Sequence, residues 1–378
     1  MEFYLDNSAT TRICPEAIDK ITYIINKVYG NPSSLHSKGF EAEKEIKNAR
    51  ASVAELLGVN ADELYFTGGG TEANNLAVFG AARAKQRTGR KIVTTAIEHS
   101  SVFESCKELE SEGFEVVYLV PDVNGYITEQ QLSDAIDRNT VLVSVMMVNN
   151  ETGTVLPVEC VKRIIKRNES PALFHCDAVQ AFGKIPVKPS KIGADLLTVS
   201  SHKIHGPKGV GVLYIKKGTY IKPIIYGGEQ EKKVRPGTEA VPLIGGFGTA
   251  AKCVKGMQSA LQSVRKLRDY AIEELAQLDG VVINSPVDAL PYIINISVLG
   301  IRSETMLHFL ESKGIYVSSG SACAKGMRSH VLSAMNLPQS RIDSAVRISF
   351  SKYSVKEEVD ALVSALKEGI NTLARAKK

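Results

Sequence analysis

Seven short apolar runs constrain this chain more than any other feature. They lie at residues 63–67, 91–96, 115–120, 141–149, 172–178, 196–201 and 210–215. Each is bounded by turn-forming or charged residues, so each reads as a strand. Helical patterns fill most of the gaps, over residues 71–88, 100–111, 128–137 and 158–168. Strand–helix alternation predicts an α/β fold, a mostly parallel seven-stranded sheet with helices on both faces. The last two runs break the rule. Only residues 202–209 separate them, too few for a crossover helix, so that pair is expected to be antiparallel. Lys203 then sits in the turn between two strands.

A helix is also expected over residues 40–57, where Ile46, Ala49, Val53, Leu56 and Leu57 share a face and Gly58 is a stop. After Gly245-Gly246 one long helix, residues 249–278, is expected to bridge into a smaller α+β domain. That domain would contain a strand at 292–298, a helix at 306–313, a loop of small residues, a strand at 346–350 and a final helix at 355–377. The expected division is a large domain over residues 16–254 and a small one made of 1–15 and 255–378.

The chain's 378 residues are ample for two cores. Its 46 basic and 41 acidic residues leave a charge of +5, too small over this length to argue for direct binding of nucleic acid. The first residues have no basic or apolar leader pattern, and no apolar run approaches the length of a membrane span. Six cysteines, at 14, 106, 160, 176, 253 and 323, form no C-x-x-C pair. A reduced, cytoplasmic setting is expected.

Four stretches carry candidate chemistry. Gly68-Gly69-Gly70-Thr71-Glu72-Ala73 follows a strand and opens a helix, so backbone N–H groups can hold a phosphate there. It matches the dinucleotide pattern loosely, but no acidic residue ends the next strand, which argues against a nicotinamide-dependent oxidoreductase. Asp177 ends a strand at the edge where open α/β sheets bind ligands, and a carboxylate in an apolar strand needs a partner. His99 follows another strand end on that edge, where it can be a structural loop histidine, stack on an aromatic ligand or shuttle protons. His202 and His205 flank Lys203 without a third ligand nearby, so no metal site is expected. Cys323 lies in Ser318-Ser319-Gly320-Ser321-Ala322-Cys323, with Lys325, Arg328 and His330 after it. Positive neighbours favour the thiolate, the nucleophilic form of a thiol.

These pieces stand in a familiar order with Asp6-Asn7-Ser8-Ala9-Thr10-Thr11, Gly30-Asn31-Pro32-Ser33-Ser34-Leu35-His36, Asn149-Asn150-Glu151-Thr152-Gly153 and Arg235-Pro236-Gly237-Thr238. The ordered set resembles the cysteine desulfurases of the NifS/IscS group, within the fold-type I enzymes that use pyridoxal 5'-phosphate. The resemblance implies that Lys203 carries the cofactor as an imine and that Asp177 pairs with its ring nitrogen. His99 would stack on the ring and Gln180 would bond the phenolic oxygen. Gly70, Thr71, Ser200 and His202 would hold the phosphate, with Thr238 reaching in from the second subunit of a homodimer. Asn150 and Arg347 would hold the carboxylate of L-cysteine, and Cys323 would take its sulfur as a persulfide, leaving L-alanine. The sulfur then passes to an acceptor protein. The segment from Ala324 to His330 is short and basic, and leaves open whether that acceptor is an iron–sulfur scaffold or a tRNA-thiolation enzyme. Another fold-type I enzyme, a selenocysteine lyase or a small-amino-acid aminotransferase, is the alternative.

Overall fold

The computed structural model describes residues 2–319 and 328–374, with only the backbone described at Lys255 and Gln258. Twelve strands occur among the described residues: β1 Phe3–Tyr4, β2 Leu64–Thr67, β3 Lys91–Thr95, β4 Glu115–Leu119, β5 Thr140–Met146, β6 Leu173–Asp177, β7 Leu196–Ser200, β8 Gly211–Ile215, β9 Val281–Ile283, β10 Ile293–Val298, β11 Ile315–Tyr316 and β12 Ala345–Ser349. The central sheet has seven strands in the order β2-β8-β7-β6-β5-β3-β4. Strand β8 runs antiparallel to both of its neighbours, and the other four pairings are parallel. The short 202–209 connection therefore does what its length requires. Every residue of β5, β7 and β8 is buried, as expected for central strands covered on both faces.

The carboxyl ends of β3, β5, β6 and β7 share one edge, because these strands are mutually parallel. That edge delivers His99, Asn150, Asp177 and Ser200 to a common crevice. A smaller antiparallel sheet, order β12-β10-β9, carries Arg347 on β12. Strand β1 pairs with β11, and Asp6 bridges to Ser349. The N-terminal segment is thus pinned to the C-terminal part of the chain before it runs toward Lys203.

The single helix expected over 249–278 is corrected to two, Val241–Lys252 and Val254–Ala276, joined at Cys253. The first begins before Gly245 and Gly246 rather than after them. Those glycines lie inside the helix because neighbouring helices press against it. A Cβ on Gly245 would come within 2.3 Å of Ile24 Cδ1, one on Gly246 within 2.7 Å of Ile21 Cδ1, and one on Gly248 within 2.4 Å of the Ala49 Cα. Close approach, not helix breaking, explains them. The helices they press against are Pro15–Lys27 and Ser37–Leu57. Among the described residues no helix is long and apolar enough to cross a membrane.

Candidate active site

A cavity of about 240 Å³ lies at the strand-end edge, walled by Gly70, Thr71, His99, Asn150, Asp177, Gln180, Ser200, His202, Lys203 and Arg347. It opens beside a wider cleft of about 730 Å³ that shares Gly70, Thr71, Ser200 and His202 and adds Lys208. Ten of the sequence-derived site residues therefore meet in one place. Thr238 does not line either cavity and is exposed on a loop of its own chain. Cys323 lies outside the described residues.

The geometry at the cavity floor starts from Asp177, the last residue of β6 and almost fully buried. Its Oδ1 accepts from the Val179 backbone N–H at 2.9 Å, and its Oδ2 accepts from Asn74 Nδ2 at 2.8 Å. Asn74 Nδ2 also donates to Ser101 Oγ at 2.8 Å. With that acceptor site filled, the Ser101 hydroxyl donates to His99 Nδ1, 2.8 Å away. The Ser101 backbone N–H reaches the same nitrogen at 3.1 Å. His99 Nδ1 is thus an acceptor, which puts the ring proton on Nε2. Burial holds the His99 pKa below its ordinary value, so the ring is neutral. The residue also caps the helix Ser100–Ser111. Sequence reasoning missed Asn74. Its position one turn into the helix Gly70–Lys85 was the available signal.

Lys203 follows β7 in a single 3-10 turn, Ser201–Lys203. Its Nζ donates to the Ser8 carbonyl, and to the Ala9 carbonyl at 2.9 Å. Burial first, then the charges of Arg347 and Lys184, bring its pKa down to about 7. A lysine in that state is a free amine at mildly alkaline pH, the form that makes imines. Burial, with Lys203 beside it, brings His202 down to about 3, and its Nδ1 faces Thr10 Oγ1 at 3.2 Å.

Arg347 is buried to within 1% of complete. Its Nη1 donates to the Asn150 carbonyl at 3.0 Å and its Nη2 to Asp6 Oδ1 at 2.9 Å. Among the described residues its Nε has no partner, nor do Asn150 Oδ1, Ser200 Oγ or Ser8 Oγ. Unpartnered buried polar atoms are costly, and here several surround one cavity. The Gly70 position is similarly tight, since a Cβ there would meet Val179 Cγ2 at 3.2 Å. The helix Gly70–Lys85 begins at this point, with Gly69 at φ 144° where only glycine is unstrained. A helix N-terminus, a free hydroxyl and an adjacent carboxylate fit a phosphorylated heteroaromatic ring with a protonated nitrogen. His205, expected to lack metal partners, spends Nδ1 on the Arg12 carbonyl at 2.9 Å. Elsewhere Cys14, Glu16 and Cys253 bring ligand-type atoms within 4.8 Å of one another, away from this cavity.

A buried lysine in a strand-end crevice, opposite a buried carboxylate, defines the class of lysine-anchored pyridoxal phosphate enzymes. Residues 3–362 match the family model for class-V aminotransferases. The chain is 40% identical over 377 residues to the "Cysteine desulfurase IscS" of Dictyoglomus turgidum, covering 98% of this chain and 95% of that protein. It is 39% identical to the protein of the same description in Methanosarcina thermophila, covering 98% and 92%. A solved "NIFS-LIKE PROTEIN" superposes with a TM-score of 0.94 at 39% identity, covering 99% of this chain and all of that one. Another, described as SspA in complex with cysteine, gives 0.82 at 33%, covering 93% and 100%. The chain belongs to the class-V aminotransferase family and, within it, to the cysteine desulfurases of the NifS/IscS group, which depend on pyridoxal phosphate.

Proposed function

We propose that this cysteine desulfurase carries its cofactor on Lys203 and takes the sulfur of L-cysteine onto Cys323, releasing L-alanine. The observation that supports the cofactor assignment best is Lys203 itself, a lysine held near pKa 7 in the turn that faces Asp177 across the cavity. When bound, pyridoxal phosphate supplies an electron sink beside the substrate α-carbon. Asp177 accepts the ring N–H and keeps the ring cationic. Gly70, Thr71, Ser200 and His202 take the phosphate, and Thr238 completes that site from the partner subunit of a homodimer. His99 covers the ring face. Arg347 and Asn150 orient the substrate carboxylate, with Asp6 fixing the guanidinium plane from behind. Lys203 Nζ, as a free amine, would take the substrate α-proton. The Cys323 thiolate then attacks the substrate sulfur. The Cβ–S bond breaks, its electron pair returns to the carbon skeleton that leaves as alanine, and Cys323 holds a persulfide. A sulfur-acceptor protein in the cytoplasm, an iron–sulfur scaffold or a tRNA-thiolation enzyme, collects it. The joint at Cys253 supports a division of the chain into residues 16–254 and a smaller unit made of 1–15 and 255–378.

Incubating the holoenzyme with L-cysteine and a thiol reductant should yield alanine and sulfide in equal amounts. Amino-group exchange with a 2-keto acid and no sulfide would instead identify an aminotransferase.

Two further outcomes follow from the geometry. Asp177→Asn should lower turnover on the order of 10²-fold or more, since an amide cannot hold the ring proton. It should also cost about 1–3 kcal/mol of stability, because both Asp177 oxygens now accept and an amide has one acceptor. Near-normal turnover with only the stability loss would make the carboxylate structural. Second, uptake of pyridoxal phosphate by the apoprotein should follow the free-amine form of Lys203. The rate should be level above pH 8 and fall about tenfold per unit below pH 7. A rate still rising steeply between pH 9 and 10 would mean an ordinary lysine.

A further inference from the structure

Lys184 is buried to within 2% of complete, yet nothing in the reaction uses it. The chain after β6 makes a helical turn, with Ala181 N–H bonded to the Ala178 carbonyl at 3.0 Å and Lys184 N–H to the Ala181 carbonyl at 3.0 Å. That turn places residues 180 and 184 on one face. Gly183 at φ 79° lets the chain continue, since a Cβ there would meet Ile204 Cγ2 at 2.7 Å. Lys184 Nζ donates to Gln180 Oε1 at 3.1 Å and lies 5.6 Å from the centroid of the Tyr292 ring. No other acceptor for it occurs among the described residues.

We propose that Lys184 is a positioning residue that fixes which end of the Gln180 amide faces the cofactor. The proposal rests on the reading of Gln180 as the partner of the cofactor's phenolic oxygen. A glutamine amide is nearly symmetric in shape and chooses its orientation by its partners. In this contact the lysine nitrogen donates, and in its protonated form it can only donate. The Gln180 oxygen must therefore turn toward Lys184 and the NH₂ must turn away. One of its two N–H bonds goes to the Ser8 carbonyl at 3.0 Å. The other has no protein acceptor among the described residues, and Gln180 lines the cavity. The site thus presents a donor where a phenolate oxygen would sit. Without Lys184 only the Ser8 carbonyl holds the amide in this orientation, and a rotated amide would present its carbonyl oxygen to that phenolate, which repels it. The burial of an otherwise unused lysine beside an aromatic ring is then explained by what it does to its neighbour.

The test uses holoenzyme variants and reads the pH titration of the bound cofactor's visible absorbance, together with cofactor affinity of the apoprotein. Lys184→Met keeps the packing on Tyr292 and removes the donor. It should raise the titration midpoint by about one pH unit and weaken cofactor binding about tenfold. Lys184→Gln restores an N–H donor without the charge, and should stay within about twofold of wild type in affinity and close to its midpoint. In a Gln180→Leu background, Lys184→Met should add no further shift. Several results overturn the proposal: a wild-type midpoint and affinity in Lys184→Met, a Lys184→Gln variant that behaves like Met, or a Met effect that persists without Gln180. The last two would assign Lys184 to a charge effect on Lys203. If Gln180→Leu alone leaves the midpoint and affinity unchanged, the reading of Gln180 fails and the proposal falls with it.

Discussion

Lys203→Ala is expected to lose the borohydride-reducible chromophore entirely and at least about 10³-fold of cysteine turnover. The loss would be large because, in the proposed function, one atom serves two steps, holding the cofactor and moving the α-proton, and each alone is worth orders of magnitude. The fold should tolerate the change. Among the described residues its Nζ hydrogen-bonds only the Ser8 and Ala9 carbonyls, and it sits near Arg347 and Lys184, whose charges disfavour its own. Removing it relieves that repulsion. Non-covalent cofactor should still bind through Asp177, Ser200 and the helix N-terminus, and should leave on dialysis. The check is peptide mapping after borohydride reduction of wild type and variant. Label on Lys208, which lines the outer cleft, or on Lys184 behind Gln180, would show that the wrong lysine was chosen.

The architecture was readable because its cause is local. All seven strands of the large sheet appear within a few residues of their apolar runs, and the antiparallel β7–β8 pair follows from connection length alone. The helix Ser100–Ser111 begins where His99 can cap it. The glycines at 245, 246 and 248 misled because their reason lies on other helices, about 200 residues or more earlier in the chain. Much of the site's second layer was illegible for the same reason. Lys203 rests on carbonyls 195 and 194 residues away, and Arg347 on Asp6, 341 residues away. Glu98 is a clearer case. It was visible as the neighbour of His99, but not as a fully buried carboxyl. Burial brings its pKa up to about 8, with one oxygen bonded by Thr95 Oγ1 and the Met146 N–H and the other without a partner among the described residues. No periodicity announces a residue whose partners come from two different strands.

Cys323→Ser should still bind pyridoxal phosphate and still change its spectrum on mixing with L-cysteine, yet release alanine at least about 10³-fold more slowly, since a neutral hydroxyl is a poor nucleophile toward sulfur. Elimination among the other thiols supports this choice. Cys106 and Cys176 are fully buried, and burial pushes the first up to about 12 and the second well above the ordinary thiol value. Cys14 is pushed up to about 11, and Cys160 is raised as well, again by burial. Thiols held so far above neutrality supply almost no thiolate at pH 7.5. Cys253, half-buried at the joint between two helices, is not on the cavity wall. Covalent reach favours Cys323. Ser318 pairs its backbone with Arg347 at 3.1 and 2.6 Å, and five residues of chain extend about 18 Å at most. On the far side Ser329 donates to the buried carboxylate of Glu151 at 2.5 Å, and His330 contacts the Glu98 carbonyl at 2.9 Å, next to His99. The described residues on both sides of the segment are therefore bonded to Arg347, which lines the cavity that holds Lys203, and to the neighbours of Asn150 and His99, which also line it. Brief exposure of wild type to L-cysteine without reductant, followed by mass spectrometry, should add one sulfur to the peptide containing Cys323. Added sulfur on Cys14, Cys106, Cys160, Cys176 or Cys253 instead, or a serine variant that makes alanine at the wild-type rate, would remove Cys323 from the reaction.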